Sequence, residues 1–214
     1  MQNEELLYIE DTNKRKLFYR FTPAVIASQF VPLIVVLDDE ASHFEYKMWN
    51  VLTPLNNFDD ESHGLCWLGE KDDFSLKDLL QKLIHQVSQE HECEDHIYLY
   101  GSGKGGYGAI LHGMLCKANA VYADTPQIRQ KGIDTKENDL SNFLNPRDSF
   151  PIFYLCDNVN TSKNTLENET AYFVAACKKH GIKFDVDHCP KPEDNASQTL
   201  KKVLNMLERM KPAV

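Results

Sequence analysis

The sequence lacks an excess of basic residues, and it lacks any long apolar run. Its 214 residues carry 23 lysines and arginines against 32 aspartates and glutamates, a net charge of -9. Nucleic acids and anionic membrane surfaces attract basic patches, so this balance argues against both as main partners. No apolar run approaches the roughly 20 residues that a membrane-spanning helix needs, so we expect no membrane span.

The usual sequence patterns of metal sites and of secreted proteins are also missing. No His-x-x-x-His pair or carboxylate cluster has the spacing of a metal site, and we expect none. The six cysteines form no Cys-x-x-Cys pair, and several, such as Cys66 and Cys156, lie inside apolar runs. This usage is typical of reduced, buried cysteines. Because the acidic N-terminus also lacks the basic stretch of a signal peptide, we expect a cytoplasmic location.

Short apolar runs alternate with amphipathic segments along most of the chain. The continuous run at residues 31–37 predicts a strand buried on both faces. Helical spacing of leucines after Ser75 predicts a helix that Ser75 caps. The alternation indicates one α/β domain, residues 1–214, with a mostly parallel sheet between helical layers and no large cap domain. The predicted strands are 31–37, 63–68, 97–100, 120–124, 151–156 and 182–188, and the predicted helices are 75–92, 107–117, 166–180 and 195–210.

Residues 1–30 are interpreted as an N-terminal extension of this sheet. Residues 6–10 and 16–21 flank Asp11-Thr12-Asn13, a spacer rich in turn-forming residues. That arrangement predicts a β-hairpin. The later segment 125–149 is polar, and we expect it to be irregular with at most one short helix.

The segment Gly101-Ser102-Gly103-Lys104-Gly105-Gly106 lies between a predicted buried strand and a predicted helix, and three chemistries place glycines there. In the first, G-x-G-x-x-G binds a dinucleotide, with Asp124 after the next strand taking the ribose hydroxyls. That unit normally opens its domain, whereas here nearly half of the chain precedes it. In the second, a phosphate loop, Lys-Ser/Thr must follow the glycines, and this chain has Ala109-Ile110 instead.

The third chemistry is the nucleophile elbow, with the pattern small-x-nucleophile-x-small-small. Small residues are required because larger side chains would collide with the strand or the helix. Gly101, Gly105 and Gly106 fill the small positions, so the nucleophile position falls on Gly103. We therefore expect an elbow that lacks a nucleophile, and no cofactor.

Residues 98–109 and the Pro126-Gln127 step after the next strand resemble a bacterial family of α/β-hydrolase-like proteins. The family includes capsular polysaccharide O-acetyltransferases of the meningococcal serogroup A type and related capsule and accessory-secretion proteins. Its elbow reads Gly-Ser-Ser-Lys-Gly-Gly, and a Pro-Gln step follows the next strand. The resemblance, which extends over about residues 31–207, implies an α/β-hydrolase-like three-layer sandwich.

The resemblance also assigns the catalytic positions. The family's serine falls on Gly103, its histidine falls on Glu193, and its acid falls on Asp157 or Asn160. Glycine cannot be acylated, and a carboxylate at position 193 is no imidazole base. The resemblance therefore implies a degenerate, inactive relative of serine hydrolases and acyltransferases. Such a protein would bind a glycan, an acyl donor or a protein partner in surface polysaccharide assembly.

Two active alternatives stay open. An oxyanion hole would survive in the Lys104 backbone N–H and an amide near Asp38-Asp39, so a carbonyl or an anion could still bind. Ser102, in a shifted register, or a water activated by His188 at the end of the last strand would give an active esterase or O-acetyltransferase. The second alternative is a nucleotide-binding enzyme that uses residues 101–106.

Overall fold

The computed structural model describes residues 6–26, 30–38, 43–55, 67–69, 73–130, 132–156, 168–186 and 195–209. These residues form an eight-stranded sheet with helices on both faces. The strands are β1 (Leu7–Glu10), β2 (Lys16–Thr22), β3 (Leu33–Leu37), β4 (Asn50–Leu55), β5 (Ile97–Ser102), β6 (Ala120–Asp124), β7 (Ile152–Cys156) and β8 (Phe184–Asp185), and the helices are α1 (Ser75–Glu90), α2 (Gly103–Leu115), α3 (Glu169–His180) and α4 (Ala196–Arg209).

The sheet has the strand order β1-β2-β4-β3-β5-β6-β7-β8. Strand β2 runs antiparallel to both of its neighbours, β1 and β4, and the pairs from β4 to β8 are all parallel. The chain moves from β3 outward to β4 and then returns to place β5 on the other side of β3. The boundary between β3 and β5 is therefore the topological switch point, where ligands of open α/β sheets bind beyond the carboxyl ends of the strands.

Two apolar clusters hold the helices on opposite faces of the sheet. On one face α1, α2 and α3 pack against every second residue of the central strands, including Val35 and Leu99. On the other face α4 packs against the intervening residues, including Val36 and Tyr100. Both faces of β3 are buried along its whole length, as its unbroken apolar sequence predicts.

Much of the predicted element order is confirmed. The N-terminal hairpin forms, with Tyr8 opposite Phe18. Strands β3, β5, β6 and β7 and the four helices lie where the sequence predicts them. Gly181 ends α3 in the left-handed conformation with φ of 68°, and the Asn195 side chain accepts hydrogen bonds from the first turn of α4. None of the described helices combines the length and the apolarity that a membrane crossing requires.

The predicted strand at 63–68 is the main error. Trp67 and Leu68 lie in a turn, and residues 63–66 lie outside the described residues. The strand that fills the place next to β3 is instead β4, Asn50–Leu55. Thr53 and Pro54 interrupt its apolar pattern, and proline argues against a strand because it donates no ladder hydrogen bond.

Several element ends also differ from the prediction. Helix α2 begins at Gly103 rather than near residue 107, and Ser75 is the first residue of α1 rather than its cap. The Asp73 carboxylate instead accepts the Ser75 N–H. Segment 125–149 holds two short 3-10 helices, Lys136–Asn138 and Leu140–Phe143, rather than at most one short helix. The last strand is described only as Phe184–Asp185, and residues 187 and 188 lie outside the described residues.

His112 of α2 is completely buried on the face that meets α1. Its Nδ1 lies 2.8 Å from Gln81 Nε2, and its Nε2 lies 3.1 Å from the Trp67 carbonyl oxygen. Because the amide nitrogen only donates and the carbonyl only accepts, the neutral ring carries its hydrogen on Nε2. Burial lowers the pKa of His112 from 6.5 to about 4, although the Trp67 carbonyl opposes that shift.

We expect the free energy of unfolding to fall as the pH drops from 6.5 towards 4 because of His112. In that window the unfolded chain binds a proton that the folded chain rejects. This contribution to the free energy of unfolding is fully present above pH 6.5. It falls by up to about 3 kcal/mol as the pH drops to the folded-state pKa of about 4. Urea unfolding at several pH values would measure it. His112→Gln should remove most of this slope relative to His85→Gln, a change at an exposed position, and equal slopes would refute the assignment.

Candidate functional site

Strand β5 passes into helix α2 without a connecting residue, at the switch point of the sheet. Ser102 is the last residue of β5, and Gly103 is the first residue of α2. Gly103 has a φ of +50°, in the left-handed region that side chains disfavour. A Cβ placed on Gly103 would meet no atom within 4 Å. Position 103 is thus an apex with open space in front of it, in a backbone conformation that glycine adopts without strain.

The three glycines around this apex lie in close contact with backbone or proline. A Cβ on Gly101 would collide with the Gly105 carbonyl, and one on Gly105 would collide with the Leu37 carbonyl. A Cβ on Gly106 would lie 2.9 Å from the Pro126 Cβ. The crowded positions are those where the elbow pattern requires small residues, and the open position is that of its nucleophile.

The segment after β6 supports the apex from the side. The Gln127 N–H donates to the Gly103 carbonyl at 3.1 Å, and Pro126 packs against Gly106. Ile128 and Arg129 then donate their N–H groups to one oxygen of Glu169, while the Arg129 side chain donates to the other. The Pro-Gln step noted in the sequence therefore holds the elbow and joins it to the start of α3.

Ser102 and Asp38 form a hydrogen-bonded pair beside the apex. The Ser102 hydroxyl donates to Asp38 Oδ2 at 2.7 Å. Asp38 follows the end of β3 and is only 8% exposed, whereas Ser102 is half-buried. Sequence reasoning assigned Asp38 to an oxyanion hole and missed this pair. The register of β3 against β5 places Leu37 opposite Gly101, and this brings the following residues, Asp38 and Ser102, together. The sequence of either strand alone does not reveal that register.

The other predicted residues lie in different surroundings. Lys104 is exposed in the first turn of α2, where backbone N–H groups have no partner within the helix. Asp124 ends β6 and is half-buried, and it accepts a 3.4 Å hydrogen bond from Thr125. Asp39, Asp157, Asn160, His188 and Glu193 lie outside the described residues, so the predicted acid and base positions stay predictions.

Comparison with known proteins identifies the fold but no family. No protein-family model matches the chain, and no curated protein matches it. Among solved structures, the fluorophosphonate-binding serine hydrolase FphF of Staphylococcus aureus aligns with a TM-score of 0.68 at 11% identity, over 95% of this chain and 97% of that chain. Esterase 2 of Thermogutta terrifontis aligns with a TM-score of 0.67 at 14% identity, over 98% and 95%.

A third structure, S-formylglutathione hydrolase of Agrobacterium tumefaciens, aligns with a TM-score of 0.63 at 12% identity, over 95% of this chain and 92% of that chain. Identities this low establish the fold alone. The chain has the α/β-hydrolase fold of serine hydrolases and esterases, and its described residues include no large cap domain, as predicted. These three structures are an S-formylglutathione hydrolase, a serine hydrolase and an esterase, and none is a capsule O-acetyltransferase.

We expect alanine to be far more destabilising at Gly105 than at Gly103. A Cβ at Gly105 meets the Leu37 carbonyl, and moving that strand end should cost more than about 3 kcal/mol. A Cβ at Gly103 meets nothing, so only the left-handed backbone penalty of about 1–2 kcal/mol remains. Urea unfolding would measure both, with Gly181→Ala as a control that combines positive φ with open space. Equal losses at the two positions would contradict the elbow geometry.

Proposed function

We propose that this chain is a degenerate serine hydrolase that binds an acylated ligand without cleaving it. The observation that carries the proposal is Gly103, which has the apex backbone of a nucleophile elbow and no atom able to attack a carbonyl. Acyl transfer at this place requires an oxygen or sulfur nucleophile and a base that accepts its proton. The turn keeps its shape because its three crowded glycines are sterically required, whatever residue occupies the apex.

The resemblance at the elbow suggests the class of ligand. The chain shares the Lys-Gly-Gly stretch and the Pro-Gln step with capsule O-acetyltransferases, so we propose a surface glycan or its acyl donor as ligand, or a protein partner in its assembly. The Lys104 N–H, at the start of α2, supports binding of a carbonyl oxygen or an anion. Cys93, Cys116 and Cys177 are free thiols, which supports the cytoplasmic location that we propose.

We expect a fluorophosphonate probe to leave the protein unlabelled and p-nitrophenyl acetate to show no turnover above buffer. Both reagents report an activated serine, and position 103 has no hydroxyl. Mass spectrometry of the intact protein after labelling is the measurement, with an active serine esterase treated in parallel. Stoichiometric labelling of any serine would end the proposal.

A gain-of-function variant also tests whether Gly103 occupies the nucleophile position of an elbow. The open space at Gly103 accommodates a serine side chain, and Glu193 occupies the position that the resemblance gives to the histidine. Gly103→Ser combined with Glu193→His should therefore acquire fluorophosphonate labelling at the hydroxyl introduced at position 103, and Gly103→Ser alone should not. A folded double variant that stays unlabelled would show that position 193 does not face the elbow.

The Ser102–Asp38 hydrogen bond favours one alternative, an active esterase or O-acetyltransferase. The buried Asp38 carboxylate, which accepts a 2.7 Å hydrogen bond from the Ser102 hydroxyl, is placed to act as its base. The pair also lies at the switch point, where α/β sheets bind ligands. This alternative requires turnover that Ser102→Ala abolishes and that Ser197→Ala on α4 leaves unchanged. Turnover that persists in Ser102→Ala would remove it.

Nucleotide binding through residues 101–106 stays a prediction, which a thermal shift with NAD(H) or ATP would test.

A further inference from the structure

A second candidate binding site lies at the opposite end of α2 from the elbow. A surface groove of about 540 Å³ opens between the C-terminal end of α2 and the segment that precedes β7. Since α2 has 13 residues, the groove and Gly103 are separated by about 20 Å along the helix axis. Its volume is within the range of small-molecule sites. We call it the basic groove, and its charged, amide and aromatic lining residues include Lys117, Lys136, Asn142, Phe143, Arg147 and Phe150.

The charge of the basic groove opposes that of the whole protein. Three cationic side chains line it against one carboxylate, Asp148, in a chain whose net charge is -9. Lys117 and Arg147 take part in none of the ion pairs found among the described residues, whereas Lys77 and Arg129 are both paired with glutamates. The ionic groups of the lining therefore carry a net positive charge, which would attract a bound anion.

The walls of the basic groove are held in place by polar contacts. Asn142 Nδ2 donates to the Lys136 carbonyl at 3.2 Å and to Asn138 Oδ1 at 3.0 Å. The Lys136 ammonium lies 4.6 Å from the centre of the Phe143 ring, a cation–π contact. These contacts fix the lysine and the ring before any ligand binds, which lowers the entropy lost on binding.

A buried ion pair anchors this segment to the body of the protein. Glu137, only 3% exposed, accepts hydrogen bonds from Lys77 Nζ of α1 at 2.8 Å and from the Thr135 hydroxyl at 2.7 Å. Burial alone would raise the pKa of Glu137, but the Lys77 and Thr135 contacts hold it below its usual value. The Tyr107 hydroxyl of α2 donates to the Glu137 carbonyl at 2.6 Å. The side of the groove that carries Lys136 is therefore fixed to α1 and α2.

We propose that the basic groove binds a small phosphate monoester. Lys117 and the forked guanidinium of Arg147 would hold the phosphate oxygens, because arginine and lysine are the side chains that recognise that group. Phe143 and Phe150 supply apolar rings against which the organic part of the ester lies. Because both amide hydrogens of Asn142 are already donated to Lys136 and Asn138, its Oδ1 would accept a hydrogen bond from a hydroxyl or amino group of the ester. The site is independent of the elbow, so it stands whether or not the chain has esterase activity.

Isothermal titration calorimetry of the whole protein tests the proposal with three probes: AMP, glucose 6-phosphate and inorganic phosphate. We expect at least one ester to bind with a dissociation constant below about 1 mM, and inorganic phosphate to bind more weakly. The variant Lys117→Gln/Arg147→Gln should weaken that ester by about tenfold or more, whereas Lys201→Gln on α4 should leave it unchanged. Adenosine and glucose, which carry no phosphate, should not bind.

Each outcome decides a part of the proposal. AMP binding alone identifies a nucleotide as the ligand, and glucose 6-phosphate binding alone identifies a sugar phosphate; both support the groove as a monoester site. Failure of both esters to bind, or equal binding by the folded Lys117→Gln/Arg147→Gln variant, would overturn it. Equal affinity for inorganic phosphate and the esters would refute recognition of an organic part by the two phenylalanines.

Discussion

The close approach of α2 to the ends of β3 and β5 is the constraint on which the rest of the structure depends. The helix starts directly on the strand, and its first turn lies so near the Leu37 carbonyl that Gly105 has no room for a Cβ. Only glycine fits at so close an approach. The low helix propensity of glycine, about 1 kcal/mol per residue, is a smaller cost than the collision that a Cβ would cause. The apex at Gly103, the supporting Pro126 and the Ser102–Asp38 pair all occupy places that this contact sets.

Tertiary packing also explains how α2 tolerates a glycine-rich sequence. His112 and Tyr107 are fully buried, and each finds polar partners outside the helix. The Tyr107 hydroxyl reaches the segment after β6, and His112 reaches α1 and Trp67. The helix α2 is thus hydrogen-bonded to α1, to Trp67 and to the segment after β6, so its position does not depend on its own helix propensity alone.

The tight glycine turn from β5 into α2 could be predicted from the sequence because its requirements are steric and local. Gly101, Gly105 and Gly106 had to be small, and the pattern left only Gly103 as the apex. Strand β4 could not be predicted in the same way, since Thr53 and Pro54 break its apolar run and only its pairing with β2 and β3 makes it a strand. The Ser102–Asp38 pair and the basic groove escaped prediction for a related reason: each joins residues far apart in the chain through strand register or helix packing.

The left-handed backbone at Gly103 has an evolutionary consequence. An active elbow holds its nucleophile in a conformation that side chains disfavour, so activity there is maintained against a stability penalty. A chain under no selection to form an acyl-enzyme is free to exchange that residue for the one amino acid that adopts the conformation without strain. In the degenerate elbow that we propose, glycine at the apex is the more stable choice, and a variant with a nucleophile there would first lose stability.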